Sequence, residues 1–201
     1  MSKCKHLQFR VSDSRDSSIR FTVALPNGRE LQATFMDFEI GTIWREADLC
    51  TSMLKMVLYS DSVEAKTARL TRRLMGPSWL NVRQHRVVTF QSTEWERITA
   101  NEYLLFGKLS MCGKSKLVVF EVTDMDTAID TNGTLTHSKL QFDGVIKLSD
   151  FNLARNERPC DFGSEIHIKG TAVFKSEVTS DLSQLQDSVN QVLEIFYSLH
   201  H

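Results

Sequence analysis

Two stretches of this sequence alternate between apolar and polar residues, and this alternation restricts the possible folds more than any other feature. In Lys139–Ser149 the even-numbered positions are apolar or glycine, and Val145 is the single apolar residue on the opposite face. Ser164–Phe174 alternates in the same way from Ile166 onward. Successive side chains of a β-strand point to opposite faces, so a period of two indicates a strand with one face in a core and the other in water.

Turn-forming residues separate six shorter stretches of the same character. Pro26-Asn27-Gly28, Cys112-Gly113-Lys114 and Thr131-Asn132-Gly133 favour tight turns, and Asn-Gly pairs are typical of hairpins. Many short strands with such turns predict an all-β fold with helical additions, either a sandwich or a barrel. Eight strands are expected, and an antiparallel eight-stranded barrel has an interior of about the size for one small ligand. The six shorter predicted strands are Ile19–Leu25, Leu31–Phe38, Met53–Tyr59, Val87–Ser92, Tyr103–Ser110 and Lys116–Thr123.

Two stretches have helical spacing instead. Glu64–Met75 is rich in Ala, Arg, Lys and Leu and is stopped by Gly76-Pro77, which predicts one short helix between strands. From about Leu182 to Ser198 apolar residues recur every three or four positions, which predicts a C-terminal amphipathic helix. This helix is expected to pack on the barrel or close its mouth. The alternative is docking on a partner or a membrane surface, and the scarcity of Lys and Arg disfavours the membrane. The predicted domains are therefore a barrel, 1–178, and a helical extension, 179–201.

Composition and charge are those of an ordinary soluble globular protein. The 201 residues suffice for one domain with an appendage, and 24 Lys plus Arg against 25 Asp plus Glu give a net charge of −1, which favours no nucleic-acid partner. No apolar run is long enough for a signal peptide or a membrane span, so a cytoplasmic location is expected, or a periplasmic one if a leader was removed. Four scattered cysteines without zinc spacing suit a reducing compartment.

Three motifs suggest chemistry, and each is better explained by structure. Gly113-Lys114-Ser115 lacks the glycine that a phosphate loop has five positions earlier, where Lys108 stands, and a strand-forming run follows it. It is therefore interpreted as a hairpin turn. Asp161-Phe162-Gly163 imitates a kinase magnesium motif without the other kinase segments. No catalytic constellation, metal site or cofactor is predicted, because the histidines of the domain body have no ligand spacing: His85, His137 and His167.

One charge feature remains after this search. Between Ala65 and Thr93 the chain carries six basic residues and no Asp or Glu. Such a segment suits an anionic lipid headgroup, a membrane surface or nucleic acid, although nucleic acid also needs interleaved aromatics and Trp79 is thin support. The alternative is a solvated helix face whose charges pair with acidic residues after folding. The candidate headgroup contacts are Lys66, Arg69, Arg72, Arg73, Arg83 and Arg86.

Several segments, taken in chain order, resemble the bacterial YceI-like family, whose members form a lipocalin-like extended barrel and bind polyisoprenoid chains. Val87–Thr93 is similar to the family's central strand with its Phe-x-Ser pattern, and Leu109–Gly113 resembles its Leu-Thr-x-His-Gly hairpin. The likeness runs from about Ile19 to Val173. The other similar segments are Asp16–Phe21, Ala33–Phe38, Tyr59–Val63, Trp79–Val82 and Ile146–Leu153.

The sequence departs from the family pattern at four positions. Cys112 stands where the family usually has His, Leu148 where it has Arg, Asn152 where it has Gly, and Arg86 where Pro is common. These changes are expected to leave the barrel intact and to bear on the ligand.

The resemblance implies a lipocalin-like barrel that holds a long apolar chain and needs no catalytic group. The expected function is therefore that of a non-enzymatic lipid-binding protein that carries or sequesters an isoprenoid-like chain. The alternative is an interaction module with a filled core that forms a homodimer or docks through its C-terminal helix. The residues expected to face the ligand inside the barrel are Phe21, Val23, Phe35, Phe90, Phe142, Ile146 and Ile168.

Overall fold

One curled antiparallel sheet dominates the computed structural model, which describes residues 7–26, 28–45, 48–129, 131, 135–157, 162–175 and 190. Within these residues the sheet has eleven strands, in the order β1-β4-β5-β7-β8-β9-β10-β11-β2-β3-β6. The strands are β1 Leu7–Val11, β2 Ser18–Ala24, β3 Glu30–Phe35, β4 Phe38–Arg45, β5 Asp48–Tyr59, β6 Val63–Ala65, β7 Val87–Arg97, β8 Glu102–Met111, β9 Lys114–Ile129, β10 Leu135–Lys147 and β11 Glu165–Lys175.

The predicted number of eight strands is wrong for the described residues, and the chain path explains the difference. A bend at Met36 and Asp37 divides one long path into β3 and β4, and a 3-10 turn, Ser60–Ser62, divides another into β5 and β6. The two divided paths pair with each other, β4 with β5 and β3 with β6. The N-terminal strand β1, which was not among the predicted strands although Leu7–Val11 alternates, adds to the edge beside β4.

All eight predicted stretches lie in strands, and the two longest alternations are confirmed. β10 and β11 pair in continuous register from His137↔Lys175 to Lys147↔Glu165. Their apolar positions face the core, whereas Val145, the predicted exception, is 47% exposed on the outer face. The hairpin at Cys112 and Gly113 is also confirmed, since both residues have positive φ, +51° and +71°. Consecutive left-handed residues are the geometry of a tight two-residue hairpin turn.

The helix between strands is shorter than its sequence pattern predicts. α1 spans Ala68–Met75, with the side chain of Thr67 accepting a hydrogen bond from the Leu70 N–H, and Gly76 following its last turn. The predicted first turn belongs to β6 instead, because Glu64 and Ala65 pair with β3. Ladder hydrogen bonds to a neighbouring strand here prevail over local helix propensity.

Strand β5 is buried on both faces over Leu54–Leu58. Leu54, Met56 and Leu58 face the core, so Lys55 and Val57 lie on the outer face. Burial there lowers the pKa of Lys55. The predicted C-terminal helix, 182–198, and most of the predicted extension, 179–201, lie outside the described residues, which include only Asn190 from that part of the chain. No helix in the described ranges has the length and hydropathy needed to cross a bilayer.

Candidate functional site

The inner faces of the strands enclose an apolar cavity in one half of the curled sheet. The central space of the cavity has a volume of about 70 Å³. The volume is about 780 Å³ when the space between the lining atoms and the solvent at the opening are included. We call this small apolar space the slot. Side chains from β7 to β11 form one wall: Val88, Phe90, Leu109, Phe120, Phe142 and Ile166.

Part of the described interior away from this cavity is packed, and we call this part the filled half. Inward-facing residues of the central strands, such as Leu54, Leu105 and Leu140, are at most 1% exposed and take no part in lining the cavity. Phe174 at the end of β11 and Ile40 on β4 are also fully buried. A packed half supplies the burial that stabilises a domain of this size, and the slot in the remaining half can stay open. The question of a filled core or a ligand space therefore has both answers within one barrel.

Pairs of an aromatic ring and a glycine form much of the cavity wall. The ring of Phe90 lies over Gly107 of the neighbouring strand, where a Cβ atom would be 2.3 Å from the ring. Phe120 lies over Gly144 in the same way, with a Cβ position 2.5 Å from its ring. The two rings meet edge to face at 5.2 Å. Because each glycine leaves a recess, the rings lie back against the sheet and the centre of the cavity stays free.

Three side chains line the cavity at one end of the barrel, and we call Trp79, Leu80 and Leu153 the cap. They come from the connection between α1 and β7 and from the connection between β10 and β11. The β8–β9 hairpin holds the first connection, because the Cys112 thiol lies 3.5 Å from the carbonyl oxygens of both Trp79 and Leu80. Burial raises the pKa of this thiol to about 11, so it remains a neutral donor at physiological pH.

An ion pair joins α1 to the connection between β10 and β11, beside the cap. The Arg73 guanidinium donates two hydrogen bonds to the Glu157 carboxylate, one of them from Nε to Oε1 over 2.9 Å. The indole N–H of Trp79 donates to the same carboxylate over 3.3 Å. The guanidinium also lies 4.9 Å above the ring of Phe162, which packs edge-on against Trp79. The hydrogen bonds from Arg73 hold the pKa of Glu157 below its usual range.

Comparison with known proteins connects this architecture to one family. The sequence profile of the YceI-like domain matches residues 11–174. The chain belongs to the YceI-like family. A UPF0312 protein of Pectobacterium carotovorum is 27% identical over 138 residues, which are 69% of this chain and 71% of that protein.

Two solved structures share the fold at low sequence identity. The crystal structure of Burkholderia cenocepacia BcnA superposes with a TM-score of 0.72 at 19% identity, covering 81% of this chain and 98% of BcnA. A polyisoprenoid binding domain from Saccharophagus degradans, implicated in plant cell wall breakdown, superposes with a TM-score of 0.60 at 13% identity, covering 85% and 99%. At these identities the likeness shows a common fold.

The structure brings six of the seven residues expected inside this YceI-like barrel to the cavity. Val23 is the exception, since it is fully buried without lining the cavity. Sequence reasoning missed the cap, whose residues lie in connections without strand alternation, and it missed Met56 and Leu58, whose strand is buried on both faces. The six that line the cavity are Phe21, Phe35, Phe90, Phe142, Ile146 and Ile168.

The basic residues predicted as headgroup contacts are dispersed, and none of the six lines the cavity. Arg73 forms an ion pair with Glu157, in agreement with the alternative that the basic residues pair with acidic residues after folding. Arg86 lies beside the β8–β9 hairpin in a separate cleft on the outside of the barrel. The other four are exposed: Lys66, Arg69, Arg72 and Arg83.

The positions that depart from the YceI-like pattern have local explanations. Asn152 has φ +55° and ψ 32°, a left-handed conformation that Asn tolerates better than other side chains, so it can replace Gly. Leu148 is buried in the core, where an Arg side chain needs a partner. Among the described residues no group of three or more His, Cys, Asp and Glu side chains is arranged to hold a metal ion.

Proposed function

We propose that this YceI-like protein binds a long, thin apolar chain of isoprenoid type in the cavity and carries or sequesters it. The observation that carries the proposal is the narrow cavity, whose lining side chains are almost entirely apolar. The likeness to a domain described as polyisoprenoid binding supports the same ligand class. Binding needs no covalent step, and the cavity lining contains no nucleophile or general base.

The physical basis of binding is the removal of apolar surface from water. Each methylene group transferred into the cavity contributes about 0.8 kcal/mol, so a chain gains affinity in proportion to the length that fits. The slot admits one chain, whereas fused rings or a pair of acyl chains need more width. Phe21, Phe35 and Phe142 provide flat ring surfaces along the chain, and Ile146 and Ile168 fill the spaces between them.

The filled half of the barrel sets a limit on chain length. A chain that passes the cap advances until it meets the packed layer of Leu54, Leu105 and Leu140. Affinity should therefore rise along a series of prenyl alcohols and reach a plateau when the cavity is full. Beyond that length, further isoprene units remain in water and add little.

The experiment combines native mass spectrometry with a chain-length series. Protein extracted without detergent should retain a lipid whose mass matches an unbranched or isoprenoid chain. Delipidated protein should then bind prenyl alcohols with a dissociation constant that falls with length to a plateau, measured by displacement of an apolar fluorophore. The variant Leu105→Ala should move the plateau to longer chains, whereas Val145→Ala on the outer face should not. Absence of a retained lipid together with no binding of any prenyl alcohol would contradict the proposal.

A further inference from the structure

A second cleft lies on the outer side of the barrel wall, beside the β8–β9 hairpin. It has a volume of about 460 Å³ and is formed by Gln84–Val87 and Thr89 on one side and Ser110–Ser115 on the other. Thr89 faces Ser110 in the ladder of β7 and β8. The hydroxyls of Ser110 and Ser115 are 2.8 Å apart across β8 and β9. A row of three hydroxyl groups therefore crosses three neighbouring strands on the floor of the cleft.

Two cations and an imidazole surround these hydroxyls. Arg86 and Lys114 line the cleft from opposite sides, and the cleft lining contains no Asp or Glu. In the ranges that the structure describes, neither cation has an ion-pair partner, in contrast to Arg73 with Glu157. His85 packs against the turn, with its Cε1 atom 3.3 Å from the position of a Cβ on Gly113. Glycine at this point, with φ +71°, admits the ring and the left-handed turn together.

The cleft and the apolar cavity share one residue. Met111, the last residue of β8, lines both. The next residue, Cys112, contacts the carbonyl oxygens of the cap residues Trp79 and Leu80. An apolar space and a basic, hydroxyl-rich space thus adjoin at the rim of the barrel, at the same end as the cap.

We infer that this outer cleft binds a phosphate or diphosphate group, with Arg86 and Lys114 as its charged contacts and Ser110 and Ser115 as hydroxyl donors. This inference rests on the proposed function, because it assigns the headgroup of an amphiphile whose apolar chain occupies the cavity. Arginine forms paired hydrogen bonds with phosphate oxygens, and lysine contributes a point charge. The Gly113-Lys114-Ser115 turn therefore contacts phosphate through side chains at a hairpin, without the helix that follows a phosphate loop.

The experiment compares three probes by isothermal titration calorimetry on the full chain. The probes are a prenyl diphosphate, the prenyl alcohol of the same length, and inorganic diphosphate. The intact protein should bind the prenyl diphosphate about tenfold or more tightly than the alcohol, since a charged hydrogen-bonded contact commonly contributes that factor. The variant Arg86→Gln/Lys114→Gln should lose this advantage and keep the affinity for the alcohol.

A matched control separates a specific site from the general effect of charge. Arg83→Gln/Lys116→Gln removes the same two charges from nearby exposed positions outside the cleft, and it should keep the advantage of the diphosphate. An advantage that survives in the Arg86→Gln/Lys114→Gln variant, or that falls equally in the control, would overturn the inference.

The inorganic diphosphate distinguishes the two sources of the anion. Binding that is lost only in the Arg86→Gln/Lys114→Gln variant supports the cleft as a site for free anions, even if no prenyl alcohol binds and the proposed lipid function fails. Binding of the prenyl diphosphate alone, again lost only in that variant, supports a lipid headgroup site. If the affinity for neither diphosphate depends on Arg86 and Lys114, the cleft is not an anion site, whatever the affinity for the prenyl alcohol.

Discussion

The recess at Gly144 offers a direct way to narrow the cavity without changing the strand. The variant Gly144→Ala adds one methyl group at a position 2.5 Å from Cδ1 and 2.7 Å from Cε1 of Phe120. Carbon atoms in contact are normally about 3.5–4.0 Å apart, so the ring must move by about 1 Å or more. Gly144 is not among the positive-φ residues, so alanine suits its backbone conformation and the contact with Phe120 is the main source of strain.

The direction in which the ring moves determines the effect on binding. The sheet lies behind Phe120, so the ring moves toward the centre of the cavity, where the open space measures about 70 Å³. Overpacking of this kind costs about 1–3 kcal/mol of the free energy of unfolding. Each methylene of ligand that is excluded costs a further 0.8 kcal/mol or so of binding, roughly fourfold in Kd.

Urea denaturation and prenyl alcohol titration measure the two effects separately. Gly144→Ala should lower the free energy of unfolding and weaken the binding of long prenyl alcohols. The double variant Gly144→Ala/Phe120→Leu should recover much of the stability and much of the binding, because the smaller leucine side chain leaves space for the added methyl group. Val145→Ala, at the next position on the outer face, should alter neither by much. If Gly144→Ala binds long alcohols as tightly as the unaltered protein does, the rings do not set the width of the cavity.

Three further predictions concern the ion pair beside the cap, the buried thiol and the C-terminal segment. Glu157→Gln should lower the free energy of unfolding by about 1 kcal/mol at neutral pH. Arg73 lowers the pKa of Glu157 in the folded protein, so the two proteins should differ fully in stability above the ordinary carboxyl pKa. In urea titrations this stability difference should disappear as the pH falls through the lowered pKa. Cys112, whose pKa is raised from 9.0 to about 11, should resist iodoacetamide at pH 8 in peptide mapping, and its contribution to stability should be lost as pH rises from 9 toward 11. The prediction that 179–201 packs on the barrel implies that its removal should lower the free energy of unfolding by roughly 1–3 kcal/mol for each large apolar side chain uncovered. Light scattering should then show an unchanged oligomeric state; a change of state would favour docking of copies through that segment.

The strands that the sequence predicted are those whose two faces differ. β10 and β11 alternate because one face is in the core and the other in water, and that contrast is visible residue by residue. Only Phe38 of β4 lay within a predicted strand, because Gly41 and Thr42 interrupt the alternation that begins there. β1 was not predicted, although Leu7–Val11 alternates between apolar and polar residues. The boundary of α1 was set by pairing with β3, a contact between distant residues that no local pattern contains.

The candidate site divides along similar lines. Alternation placed Phe21, Phe90 and Phe142 on inner faces correctly, because facing inward depends only on position along a strand. Whether an inward-facing side chain packs in the core or lines the cavity depends on its neighbours across the sheet. Val23 and Phe21 are two positions apart on the same strand, yet only Phe21 reaches the cavity. The recess of Gly144 beneath Phe120 combines residues from two strands, so the sequence of either strand alone does not reveal it.

The arrangement of packed and open space gives the hairpin at Cys112 a central position in the proposed function. Because Leu105 and Leu140 are packed and do not line the cavity, we expect uptake at the end of the barrel where the cap lies. The cap is held on its inner side by Cys112 and on its outer side by the Arg73–Glu157 pair. A chain that displaces the cap passes Met111, and its headgroup then lies beside the basic cleft on the other side of the same hairpin. An amphiphile with an anionic head can therefore occupy both spaces at once, which a ligand lacking either part cannot do.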